Sequence, residues 1–223
     1  MKKNLLTLVF SFGLMTLGFA QVFDEPTVFD YEATKYDLSL NVAPVLVGDY
    51  PLDLLFRKHY ISKNGKNVAF RLGATLGANA GSSDLNNSNG STVRNNGQSF
   101  QAYLGKEWQK TFHQKILGYY GGDVYAGYGR SFNDFTPNDP NQTSTSTSQN
   151  FANIGAVGFL GMRYHLSRHF SISAETSANL NFTHSASTTK STTQNNVNET
   201  DISSNGFGFS LSPLRAIRFS FHF

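Results

Sequence analysis

The residues that could support covalent chemistry lie in one polar stretch near the carboxyl-terminal end of the chain. His184 is followed by Ser185 and Ser187, and Glu199 lies further along the same stretch. A serine nucleophile, a histidine base and an orienting carboxylate are the parts of an acyl-transfer site. Serine and threonine are so frequent between residues 185 and 205 that composition alone produces this grouping. We therefore predict that the chain is not an enzyme.

A second group of charged residues alternates with apolar residues along predicted strands. It comprises Asp37, Arg57, Arg71, Glu107, Asp123, Arg163, Glu175 and Arg218, joined by His59 and His165. Arginines and acids are equal in number, and an unpaired buried charge is costly, so we expect ion pairs in a polar interior. Arg71 and Glu107 are expected at one depth on neighbouring strands. The alternative is a narrow pore that opens when these pairs rearrange. We predict no catalytic, cofactor or metal site, and inward histidines are expected to be hydrogen-bonded core groups.

The elements that would position these charges are strands, because alternate side chains point to opposite faces of a strand. The last stretch, 206–223, places apolar residues at nearly all odd positions and Ala216, Arg218, Ser220 and His222 at even ones. The odd positions, which include Pro213 and Arg215, are assigned to the outer face. Eight such segments are predicted between residues 36 and 223.

The spacing of the strands predicts how they connect. Short turns follow strands two, four and six, whereas polar stretches of about twenty residues follow strands three, five and seven, at 81–97, 132–150 and 185–205. This asymmetry is typical of membrane-spanning barrels. The predicted fold is all-β: an eight-stranded antiparallel up-and-down transmembrane β-barrel with short periplasmic turns and three long outer loops. An edge strand of a soluble β-sandwich is the alternative for the last segment.

Aromatic residues are expected to form a girdle at each membrane interface. The inner girdle would contain Tyr60, Trp108, Phe170, Phe221 and Phe223, and the outer one Phe100, Tyr128, Phe151, Phe182 and Phe207.

The amino terminus has the three parts of a secretory signal peptide. Lys2 and Lys3 precede an apolar run that is too short to span a membrane comfortably, and small residues, Gly18 and Ala20, precede Gln21. We predict a signal peptide over 1–20, a periplasmic tail over 21–35 and a barrel over 36–223. The chain contains no cysteine, and its net charge of +3 includes no basic run, so disulfides and nucleic-acid binding are not expected.

The end of the chain resembles the carboxyl-terminal signal of bacterial outer-membrane barrels, through Ile217, Phe219, Phe221 and Phe223. The number of predicted strands and the alternation of short and long connections resemble those of the small OmpA/OmpX-type barrel family. The resemblance implies insertion by the barrel-assembly machinery and residence in the outer membrane. Outer-membrane lipid, lipopolysaccharide and other envelope proteins would then be the contacts. The expected role is structural or interactive, with a narrow porin-like channel or a lipid A-modifying enzyme as alternatives.

Two weaker resemblances concern enzymes of such barrels. The lipid A deacylases place a serine two residues after the histidine, but this chain has Ala186 at that position. Pro44 and Pro213 would face each other across the closing seam if Tyr36 lay near Phe221. That arrangement resembles the proline-weakened seams of the lipid A palmitoyltransferase barrel. It suggests a lateral opening, with a simple bend or bulge as the alternative.

Overall fold

A computed structural model describes residues 34–47, 53–84, 91–139, 141–193 and 196–223. It contains eight strands: β1 (Tyr36–Asn41), β2 (Asp53–Ile61), β3 (Asn67–Asp84), β4 (Thr92–His113), β5 (Ile116–Thr136), β6 (Ser144–His165), β7 (Phe170–Thr193) and β8 (Asn196–His222). A 3-10 helix, Pro44–Val47, follows β1. In the described ranges, no helix has both the length and the apolar character needed to cross a membrane. The predicted signal peptide and nearly all of the predicted tail lie outside the described residues.

Each strand pairs antiparallel with the next, and β1 also pairs with β8, so the eight strands close into one ring. The closing ladder runs from Asp37, opposite His222, to Asn41, opposite Arg218. The prediction of an all-β chain with eight antiparallel strands in one sheet is therefore confirmed.

Alternation sorts the side chains between the two faces of this ring. In β3, Arg71 is fully buried inside, whereas Phe70 and Leu72 on the outer face are 44% and 50% exposed. The predicted turn at Asn64-Gly65 is also present, and Gly65 has the positive φ of 71° that favours glycine. The turns at 62–66, 114–115 and 166–169 lie at one end of the ring, which we call the short-turn end.

The prediction of three long outer loops is wrong, because strand pairing continues through most of the polar stretches. The ladders reach Asp84 opposite Thr92, Phe135 opposite Thr145, and Thr193 opposite Asn196. Low hydrophobicity indicated loops, but backbone pairing needs no apolar face, and opposed hydroxyls support it. One such pair joins Ser185 Oγ to Ser204 Oγ at 2.8 Å. We call the described residues within 77–99, 129–151 and 183–206 the hairpin extensions.

An irregularity in β8 changes which way one arginine points. Glu175 pairs with Ala216 but Ser177 pairs with Ser212, so residues 213–215 lie opposite Thr176 alone. Pro213 has no N–H to donate to a ladder, which makes this a suitable place for a bulge. Arg215 turns into the ring, so its assignment to the outer face is wrong.

The predicted proline pair across the seam is also wrong. Phe221 lies opposite Leu38, not near Tyr36, which shifts the register from the one assumed. Pro44 lies in the 3-10 helix beyond the end of β1, and the last bond before it runs from Val42 N to Ile217 O at 2.7 Å. The two prolines therefore do not face each other, but the ladder between β1 and β8 also does not continue through Ala43 and Val45, so the lateral opening stays a prediction.

Candidate functional site

The interior of the ring holds a network of charged side chains, to which every strand contributes. The structure places all eight predicted residues inside, each at most 2% exposed: Asp37, Arg57, Arg71, Glu107, Asp123, Arg163, Glu175 and Arg218, in strand order from β1 to β8. Each of these residues occupies a position whose side chain points inward in the alternation of its strand. The alternation therefore located these side chains correctly.

Arg71 lies at the centre of the network and contacts three carboxylates. Its Nη1 is 3.0 Å from both Glu107 Oε2 and Glu175 Oε2, and its Nε is 3.1 Å from Asp123 Oδ1. The guanidinium carbon is 3.7 Å from the centroid of the Phe159 ring. The structure thus brings Arg71 and Glu107 together as predicted, and one cation forms ion pairs with acids from three strands.

Glu107 is the complementary centre, a carboxylate shared among arginines. Besides Arg71, its oxygens lie 3.1 Å from Arg163 Nη2 and 3.5 Å from Arg57 Nη1. The Gln109 amide also donates a hydrogen bond to Glu107 Oε1 at 2.6 Å. Removing this one carboxylate would leave several buried guanidinium groups without their shared acceptor.

Two members of the network escaped the sequence prediction. Arg215 Nη1 is 3.1 Å from Glu175 Oε1 and 3.4 Å from Asp123 Oδ2. Asp53 Oδ2 is 2.7 Å from Arg218 Nη2, and the Tyr103 hydroxyl donates to Asp53 Oδ1 at 2.8 Å. With them, the described interior holds five arginines and five carboxylates, still in balance.

The two omissions have different causes. Asp53 has the same odd parity as Arg57 and His59, so extending the alternation back along β2 would have found it. Arg215 has the outward parity of Ile217 and turns inward at the bulge. Simple alternation carries no signal for such a reversal.

Histidines gather at the short-turn end of the interior. His59 Nε2 is 2.6 Å from Asp37 Oδ2, and the ring centroids of His165 and His222 are 5.2 Å apart. His222 Nε2 also lies 2.7 Å from Ser171 Oγ. His59 and His165 are inside as predicted. The sequence pattern did not predict that His59, His165 and His222 would cluster.

Asp37, His59 and His222 could supply three ligand atoms to a metal ion, since these atoms lie within 4.8 Å of one another. Imidazole and carboxylate suit a divalent transition metal. However, Arg57 Nε is 2.9 Å and Arg163 Nη1 3.9 Å from the same carboxylate. A divalent cation would add charge beside two guanidinium groups in a network that is already balanced. We therefore assign this cluster to ion pairing.

Aromatic and aliphatic side chains fill the space around the ion pairs. Leu55, Tyr103, Tyr125 and Val157 form one buried cluster, and Leu117, Tyr119 and Phe159 form another. A side chain at Gly161 would collide with the Tyr119 ring, so glycine makes room for it. The interior is occupied by large side chains at several levels.

The residues considered for acyl transfer are not brought together. His184 Nδ1 contacts Asn205 Oδ1 at 2.8 Å, and Ser185 contacts Ser204. Glu199 Oε2 lies 3.3 Å from Lys190 Nζ, six positions further along the hairpin. Six residues of strand span about 20 Å. This separation leaves the histidine without its orienting acid.

The carboxyl-terminal aromatic residues lie on the outer face beside their predicted neighbours. Phe170 stacks on Phe219 with centroids 5.5 Å apart and contacts Phe221 at 5.3 Å. Phe223 lies 6.0 Å from the Tyr36 ring across the closing seam. One girdle assignment is wrong. Phe151 has inward parity, and a Cβ at Gly129, on that same face, would collide with its ring.

The geometry offers ion pairing and packing inside the ring and apolar contact outside it. In comparisons with known proteins, the chain matches no family model, no curated protein and no solved structure.

Proposed function

We propose that the protein is an integral outer-membrane β-barrel with a structural or interaction role. The observation that carries this proposal is the apolar outer face of the ring. Leu104, Val124 and Leu160 are among many large apolar side chains there that are half exposed or more. Apolar surface in water costs about 25 cal/mol per Å². In hydrocarbon that cost disappears, so the outer face suits lipid.

The dimensions of the apolar belt support the same proposal. On β4 the belt runs from Phe100 to Trp108, and on the paired strand β5 from Tyr128 to Tyr120. These nine positions agree with the roughly 9–11 residues that a tilted strand needs to cross a bilayer. Trp108 and Tyr120 stack with centroids 5.7 Å apart, as a girdle pair would. Backbone pairing between residues 37–41 and 218–222 also closes the ring at the end where the chain terminates, as a wall in lipid requires.

We further propose that the interior is a plug. Five arginines and five carboxylates pair within it, and buried charges are stable only when they are paired. A ring of eight strands has an interior that side chains just fill. The functional surfaces are then the outer face and the hairpin extensions. Their Asn, Ser and Thr side chains would meet lipopolysaccharide, another envelope protein or the medium.

The biogenesis expected for such a protein follows from both ends of the chain. The predicted signal peptide would deliver it across the inner membrane. The terminal strand, with Phe219, Phe221 and Phe223 in a row on its outer face, would be recognised by the barrel-assembly machinery. The short turns would then face the periplasm, and the hairpin extensions would face outward.

The first experiment tests the barrel. The chain is expressed with its own amino terminus, and the outer-membrane fraction is extracted and run on gels with and without boiling. A closed barrel migrates faster unboiled than boiled. A single band that does not shift, or a chain found entirely in the soluble fraction, contradicts the proposal.

The second experiment separates a plug from a pore. The folded protein is inserted into planar lipid bilayers, and current is recorded under an applied voltage. We expect no discrete conductance steps, because paired charges fill the interior. Reproducible single-channel steps would contradict the plug and favour the narrow channel instead.

A further inference from the structure

Basic residues are concentrated at the short-turn end of the ring. Outside the buried network, this end carries Lys35, Lys58, Lys63, Lys66, Lys106, Lys110, Lys115 and Arg168. The described acids nearby, Asp37 and Glu107, are buried in the network. In the hairpin extensions, five acids outnumber three bases: Asp84, Asp134, Asp139, Glu199 and Asp201 against Arg94, Arg130 and Lys190. Among the described residues, the short-turn end is thus the more positive of the two ends.

Two of these lysines, Lys58 and Lys106, lie within the apolar belt of the outer face. Lys58 on β2 pairs with Phe70 on β3, and Phe70 pairs in turn with Lys106 on β4. The three outward side chains therefore form one row across three strands. Neighbouring strands are about 4.8 Å apart, so the two lysine backbones are separated by about 10 Å.

The ammonium group of each lysine lies beside an outward aromatic ring, and one of these rings, Trp108, belongs to the predicted inner girdle. Lys58 Nζ is 6.0 Å from the centroid of the Tyr36 ring, and Lys106 Nζ is 5.4 Å from the Trp108 ring. Among the described residues, neither ammonium forms an ion pair with a carboxylate. Lysines in an apolar wall extend their charge toward the interface, where an anion can meet it.

An open groove of about 680 Å³ begins at the same row. Phe70 and Lys106 line it together with Leu104, Val124 and Leu180, and its lining is predominantly apolar. Gly122 and Gly158 contribute no side-chain bulk to it. An apolar groove that ends at a cation matches a molecule with an acyl chain and an anionic head.

We propose that Lys58, Phe70 and Lys106 form a binding site for an anionic phospholipid of the leaflet that faces the short turns. The phosphate lies between the two ammonium groups, and an acyl chain lies along Phe70 and into the groove. This inference rests on the proposed function, because it requires the outer face to be in lipid.

An acidic peptide is the other occupant that charge alone would allow. The chain has one in its segment 21–33, which carries Asp24, Glu25, Asp30 and Glu32. A phospholipid fits better, because Lys58 and Lys106 flank an exposed phenylalanine beside an apolar groove. A hydrated carboxylate chain would find little there to replace its water.

The test uses the full chain folded into vesicles of equimolar phosphatidylglycerol and phosphatidylcholine. Co-purifying lipid is measured by native mass spectrometry after mild extraction. We expect the wild-type chain to retain phosphatidylglycerol preferentially. Lys58→Gln/Lys106→Gln should reduce that preference by about fivefold for each lysine removed. The matched control, Lys63→Gln/Lys66→Gln, removes the same charge from the adjacent turn and should retain most of the preference.

Several outcomes would overturn the inference. Equal loss in both double variants would show diffuse attraction to the positive end instead of a site. No preference in a wild-type chain that is folded and inserted would also overturn it, while leaving the proposed barrel intact. A preference for phosphatidylglycerol could also emerge only when the four acids of segment 21–33 are changed to their amides. That result would identify the acidic segment as the occupant of the site. Failure to insert into any vesicle, seen by flotation, would instead contradict the proposed function.

Discussion

The ring and its hairpin extensions are built from the same strands but are held together differently. In the ring, Arg71 and Glu107 pair at 3.0 Å with both side chains fully buried. In the extensions, Lys190 and Glu199 pair at 3.3 Å with side chains 55% and 49% exposed. Solvent screens the second pair, whereas the first has no water to replace a lost partner.

This difference shows what fixes strand register in each region. Inside the ring, a shift of one residue would exchange buried charges with exposed hydrophobic residues, so side chains dictate the register. In the extensions, both faces are largely polar, and opposed hydroxyls such as Thr147 and Thr189, 3.3 Å apart, tolerate many alignments. There the register is inherited from the ring below. Substitutions should therefore have large effects in the ring and small effects in the extensions.

The largest effect is expected for Arg71→Met. The variant leaves Glu107, Glu175 and Asp123 without their shared cation, and breaking a buried pair in this way costs about 3–5 kcal/mol. The free energy of unfolding in urea, measured on protein refolded in detergent or vesicles, should fall by that amount. The companion Arg71→Met/Glu175→Gln should recover part of the loss. A loss below about 1 kcal/mol for Arg71→Met would show that the network is not tightly coupled.

A smaller effect is expected for Arg215→Gln at the bulge of β8. This residue is only partly buried and shares Glu175 and Asp123 with Arg71, so its removal should cost about 1–2 kcal/mol. The same urea titration measures it, with Arg130→Gln in an extension as the control. An effect no larger than the control would mean that Arg215 points outward in solution.

Shortening the β7–β8 extension should change stability by less than about 1 kcal/mol. Deleting 185–190 together with 199–204 removes six facing pairs and keeps every remaining side chain on its own face. The variant should still show heat-modifiable migration on gels. Loss of the fast-migrating band would show that the extension stabilises the ring below it.

The smallest effect is expected for Lys190→Gln. Its ion pair with Glu199 is exposed to solvent, and such pairs contribute at most about 0.5–1 kcal/mol. The free energy of unfolding should differ from that of the wild type by close to zero, at both low and high salt. A loss comparable to that of Arg71→Met would erase the distinction between the two regions.

The parts of this structure that could be predicted from the sequence are the strand segments that have one face buried inside the ring. Arg71 between Phe70 and Leu72 can be assigned without a structure, because only one phase of the strand puts the charge inside. The same logic places all eight predicted members of the network.

The remaining features follow from effects that composition does not encode. The Ser, Thr and Asn stretches contain no apolar pattern, so nothing marks them as strands, yet backbone hydrogen bonds extend the hairpins through them. The inward turn of Arg215 depends on three residues of β8 opposing one of β7. The register at the seam depends on strands at opposite ends of the sequence, which no local pattern constrains.

The short ladder between β1 and β8 has a consequence for how this protein is made. It joins residues 37–41 to residues 218–222, and Tyr36 and Phe223 exchange two backbone hydrogen bonds at its end. Contacts between remote parts of a chain form slowly. Until the last segment arrives, the growing sheet has two free edges that could pair with other chains. We therefore expect the five-pair seam between β1 and β8 to form last, and any chaperone that protects the free edges would have to act before it forms.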